Sequence, residues 1–138
     1  MFRVLVAMDD LEMSERVLRY AMEAYPEAAV TVLHVVGEPS AMMGRAAALA
    51  LEDDPESAAE DAAGAVFDCA RDVAAEYGAT VDTTVAWGAP AREVVERADE
   101  FDTVVVGSHA GRLRDRLFVG DVARTVFRRC PVTVTVVR

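Results

Sequence analysis

The sequence predicts an α/β domain: an open five-stranded parallel sheet with helices on both faces, three layers deep. Three observations lead there. Four short Val-rich runs are almost continuously apolar, as suits strands covered on both faces, and amphipathic stretches of helical spacing separate them. Strand and helix alternate from one end of the chain to the other, which calls for right-handed crossovers in one sheet. A length of 138 residues, 53% of them apolar, suffices for one buried core, so a single domain over residues 1–138 is expected.

The four runs are FRVLVAM (Phe2 to Met8), AVTVLHVV (Ala29 to Val36), DTVVVG (Asp102 to Gly107) and VTVTVV (Val132 to Val137). A fifth, ATVDTTVAW (Ala79 to Trp87), alternates more and reads as a strand nearer an edge. The first helix sets Val17, Leu18, Ala21, Met22 and Tyr25 on one face, with Ser14 as its expected N-cap. The second runs from Ser57 to a C-terminal Gly78. A shorter third helix has Pro90 in its first turn, and a fourth runs from about Gly120 to Arg129, where Pro131 stops it. Residues 37–57 exceed a normal connection and read as a flap, with a short Ala- and Leu-rich helix between Pro39 and Pro55.

A net charge of −10 argues against a nucleic-acid partner, since a protein that neutralises phosphates needs a basic balance. All 14 basic residues are Arg, against 24 carboxylates. Two causes fit: a halophilic composition, in which carboxylates keep the surface hydrated, or a GC-rich genome that replaces Lys with Arg. Cys69 and Cys130 stand far apart without a second ligand pair, so neither a zinc site nor a disulfide is indicated, and both read as small core residues. The apolar start is too short for a signal peptide and meets Asp9 and Asp10 at once, so no membrane span and a cytoplasmic location are expected.

In an open parallel sheet, ligands bind beyond the carboxyl ends of the strands, where strand order reverses. The residues just after each run should therefore converge: Asp9 and Asp10, Val35 and Val36, and Gly107 onward. Gly107, Ser108 and Gly111 would let backbone approach a ligand, and the helix beginning near Gly120 would aim free N–H groups at the same place. Asp9 could accept hydrogen bonds from ribose hydroxyls. The plainer alternative, that Gly107 turns the chain and Asp9 caps the first helix, fits these residue types as well. His34 reads as a core residue inside its strand, and His109 has no partner at catalytic spacing. No Walker loop, nucleophile elbow or metal-ligand set is visible.

Taken together, VLVAMDD, SERVLRYA, VTVLHVV, WGAPAREVVERA, DTVVVGSHAG, GDVARTV and CPVTVTVVR resemble the universal stress protein family, in the right order over nearly the whole chain. The resemblance implies a Rossmann-like, adenine nucleotide alpha hydrolase-like fold. It also implies a loop of Gly, two residues, Gly, nine residues, Gly, then Ser or Thr, which holds ATP with Mg in members that bind it. Gly107 and Gly120 fall on the first and third glycines, Ala110 on the second, and Asp121 on the Ser or Thr. Asp9 matches the acidic residue after the first strand, Val35 the position beside the adenine, and His109 a loop histidine. The implied cofactor-binding set is Asp9, Val35, Gly107, His109, Ala110, Gly120, Asp121 and Val122.

Two departures weaken that site. Ala110 adds a Cβ where glycine is expected, and Asp121 puts an acceptor-only anion where a hydroxyl would meet phosphate. Arg112, Arg114 and Arg116, or Mg bridging Asp121 to the phosphates, could offset the charge; equally, the arginines suit a solvated loop paired with Asp115. The expected function is a non-catalytic, dimeric stress-response regulator with a degraded nucleotide site, and the alternative is an ATP-binding sensor that uses the 107–122 loop. The expected partners are a second copy, paired along the edge strand 132–137, and an unidentified protein.

Overall fold

A computed structural model of the chain describes residues 1–8, 11–36, 55–108 and 121–138. The elements in chain order are β1 (Arg3–Ala7), α1 (Leu11–Ala24), β2 (Ala29–Val36), α2 (Pro55–Glu76), β3 (Asp82–Trp87), α3 (Pro90–Arg97), a single 3-10 turn (Ala98–Glu100), β4 (Thr103–Gly107), α4 (Asp121–Arg129) and β5 (Thr133–Val137). All strand pairings are parallel, in the order β3-β2-β1-β4-β5. Strand order therefore reverses between β1 and β4. The expected open five-stranded sheet is present, and both predicted edges are edges.

Because successive strand residues face opposite sides, the Val-rich strands feed two cores. On one face Val4, Val6, Val30, Val32 and Val105 pack against α1 and α2 through Val17, Leu18, Ala21, Val66, Ala70 and Val73. On the other, Leu5, Leu33, Val35, Val104 and Val106 meet Val94 of α3 and Ala123 and Val126 of α4. In α1 the buried residues are Met13, Ser14, Val17, Leu18, Ala21 and Met22, a stripe of helical period, while Glu15, Arg16, Tyr20 and Glu23 lie outside.

Helix boundaries differ from expectation in two places. α1 starts at Leu11, so Ser14 lies inside the helix, buried, and is not its N-cap. α2 starts at Pro55, so the end of the predicted flap is helical; residues 37–54 lie outside the described part. The predicted stop of α2 holds. Gly78 takes φ +66°, its N–H donates to Ala75 O at 3.0 Å and that of Ala79 to Ala74 O at 3.0 Å, the paired bonds of a glycine-terminated helix.

Two side chains anchor strand ends. His34, 2% exposed, donates from Nδ1 to Met8 O at 2.9 Å, which fixes the proton on Nδ1 and holds β1 where it leaves the sheet. Thr103 Oγ1 donates to Thr133 O at 2.8 Å and ties the start of β5 to β4. At the far end Ser108 N donates to Val137 O at 2.8 Å, and Arg16 Nη1 to Arg138 O at 3.0 Å.

The cysteines are only partly buried rather than core residues, and Cys130 packs against the core that faces α3 and α4. Burial pushes the Cys69 thiol up from its ordinary value, and the hydrogen bond to Glu15 Oε1 at 3.4 Å acts in the same direction. Burial alone raises Cys130. A thiol raised in the native state keeps its proton over a window where the unfolded chain has lost it, so stability falls as pH climbs above the ordinary thiol range of about 8.5–9. The expected result is a lower urea midpoint at pH 10 than at pH 8, with a smaller drop in the Cys69→Ser/Cys130→Ser variant. Equal drops in both proteins would show that other groups cause it.

Candidate functional site

A cavity of about 180 Å³ opens at the carboxyl end of the sheet, where strand order reverses. Its floor comes from Ala7 and Met8 after β1, Leu33 and Val35 of β2, and Val106, Gly107 and Ser108 after β4. Its walls are the first turns of three helices: Met13 and Ser14 of α1, Pro90 of α3, and Asp121, Val122 and Ala123 of α4. Helix N-termini carry partial positive charge, about half an elementary charge each, and three of them converge here. The field favours an anion, and the lining favours a flat apolar group.

Asp121 opposes the first preference. It is the first residue of α4 and exposed, so its carboxylate stands at a helix N-terminus, where a phosphate would otherwise be held. As a full charge it outweighs the partial charge of its own helix.

Of the predicted residues, Val35, Gly107, Asp121 and Val122 come together around this cavity. Asp9, His109, Ala110 and Gly120 lie outside the described residues, as do Arg112, Arg114 and Arg116. Gly107 does more than turn the chain or admit a ligand. A Cβ built on it would sit 2.9 Å from Met13 Cγ and 3.3 Å from Val17 Cγ2, so α1 rests on the end of β4 at a distance only glycine allows. Its φ is not positive.

Sequence reasoning placed Ser108 here but missed Met13, Ser14 and Pro90 as lining residues. Ser14 carried a usable signal: it falls on the apolar stripe of α1, three residues before Val17 and four before Leu18, and a polar residue on a buried face marks a place where packing is not the whole purpose. Among the described residues no group of three His, Cys, Asp or Glu is placed to hold a metal, and no helix is long and apolar enough to cross a membrane.

A doubly wound parallel sheet with a cleft at its switch point defines a class of Rossmann-like, three-layer α/β domains. Within that class the chain matches the profile of the universal stress protein family over residues 1–138, and it belongs to that family. Solved structures agree on the fold. A universal stress protein from Lactobacillus plantarum superposes with TM-score 0.76 at 21% identity, covering 99% of this chain and 97% of its own. A universal stress protein in complex with cAMP gives 0.67 at 26% identity, covering 99% and 96%. A family member from Arabidopsis thaliana with AMP bound gives 0.68 at 13% identity, covering 99% and 91%. No curated protein sequence matches the chain.

Proposed function

We propose that the protein is a non-catalytic regulatory module of this family that works as a dimer through partner contacts, with a strand-end cleft unsuited to polyphosphates. The carboxylate of Asp121, exposed at the head of α4 and lining the cleft, supports this reading, since a negative charge there repels a phosphate tail lying against the same helix N-terminus.

A second reading is favoured by the cAMP and AMP found in related proteins and by the apolar floor of the cleft: a sensor of adenine nucleotides. Thermal unfolding with and without millimolar Mg-ATP, run at high salt, separates the two. A ligand at 100 times its dissociation constant stabilises by about 2.7 kcal/mol, a shift of several degrees in a domain of this size. An unchanged midpoint is expected. A rise of that size would replace the first reading with the second.

The proposed dimer rests on β5, which among the described residues pairs only with β4 and bears no charge from Thr133 to Val137. Val137 O accepts from Ser108 on the β4 side. With a period of two, the N–H groups of Val134 and Val136 point to the free edge. Val134→Pro removes one outward donor without touching the β4 ladder. It should yield monomers by size-exclusion chromatography with light scattering. A dimer of unaltered mass would place the contact elsewhere.

A further inference from the structure

The charge of the chain is divided by its topology. Among the described residues, 1–8, 11–36 and 55–102 hold six arginines against 16 carboxylates, whereas 103–108 and 121–138 hold four arginines against one. The second group contains β4, α4 and β5, which occupy one side of the sheet. A protein of net charge −10 thus carries one net positive flank.

On that flank α4 presents an outer face of Arg124, Phe127, Arg128 and Arg129, all exposed, with Phe127 67% exposed. Among the described residues no ion pair reaches these three arginines, although carboxylates are in excess overall. Arg128 and Arg129 lie in the last turn, where they suit the negative end of the helix dipole. Neither that dipole nor the core accounts for Arg124 in mid-helix or for Phe127 in water. An exposed aromatic ringed by arginines is the residue mixture that anchors protein interfaces.

We propose that the outer face of α4 is a docking surface for an acidic, amphipathic segment of a partner protein, with Phe127 as apolar anchor and Arg124 and Arg128 as the charged contacts. This deepens the reading above by giving the chemistry of the partner, and it rests on that reading's partner contacts. Charge complementarity selects the occupant. A polyphosphate chain long enough to leave α4 would run into the field of the acidic flank, whereas a short acidic segment can stay within the basic one. A second copy related by a two-fold axis through this face would set arginine against arginine.

The test uses the full chain and three fluorescein-labelled probes at 0.15 M NaCl: a 20-residue peptide with Glu on one helical face and Leu on the other, its Lys-for-Glu counterpart, and a 20-nucleotide single-stranded RNA. Anisotropy should rise with the acidic peptide alone. Arg124→Glu/Arg128→Glu should weaken binding more than tenfold, Phe127→Ser should weaken it at least fivefold, and Arg71→Glu/Arg92→Glu, an equal charge change elsewhere, should leave it within twofold. Circular dichroism confirms that each exposed-site variant is folded. Three results overturn the proposal: no binding of the acidic peptide, equal losses from both double variants, or tighter binding of RNA than of peptide. Self-association abolished by Phe127→Ser would also overturn it, by showing a second copy on this face. The peptide and RNA outcomes leave the elution volume of Val134→Pro and Mg-ATP stabilisation untouched, so failure of this proposal is distinguishable from failure of the dimer or cleft reading.

Discussion

Gly107→Ala should lower the stability of the fold by about 1–3 kcal/mol, the usual cost of forcing an extra carbon into a packed site. Two effects compete. Because Gly107 has an ordinary φ, alanine would by itself stabilise the chain by about 0.4–1 kcal/mol through a less disordered unfolded state. Against this, the new Cβ would lie 2.9 Å from Met13 Cγ, which can yield only by a χ1 rotation inside a packed site or by a shift of the start of α1. The clash outweighs the gain. Urea unfolding of the single variants and of Met13→Ala/Gly107→Ala measures it, since removing the Met13 side chain should relieve most of the added cost. A Gly107→Ala protein as stable as the parent would mean that α1 is not seated as described. Because Met13 lines the cleft, the same variant should also alter the shape of the site.

Gly107 shows which part of the site was legible in the sequence. That a glycine ended the fourth strand at the carboxyl end of the sheet followed from its place in the chain, and a cavity opens there. That it was glycine because of Met13 and Val17 did not follow, since the contact joins residues about ninety apart. The strands were legible because burial on both faces leaves continuous Val-rich runs, and both edge strands were the less continuous or the terminal ones. Ser14 was misplaced for an equally physical reason. Serine is a common cap, and its residue type alone does not separate a cap from a buried polar residue within the first turn. The basic flank emerged only once the sheet order placed β4, α4 and β5 together.

Asp121→Ser should strengthen binding in proportion to the negative charge of the ligand. At about 4 Å a carboxylate repels each unit of phosphate charge by about 1 kcal/mol in bulk water and about 4 kcal/mol at an effective dielectric near 20. Asp121 is exposed, so the lower figure and salt screening govern. Even so, several phosphate charges act together, and serine adds a hydroxyl donor at the head of α4. The expected order of gain, measured by calorimetry at 0.15 M NaCl, is none for adenosine, a few-fold for AMP and at least tenfold for ATP, with the ATP gain shrinking in 2 M NaCl. Equal gains for all three would show that Asp121 acts on the shape of the cleft and not through charge. No gain for any would move the obstruction from position 121 to the rest of the loop, where Ala110 replaces the second glycine of the family pattern.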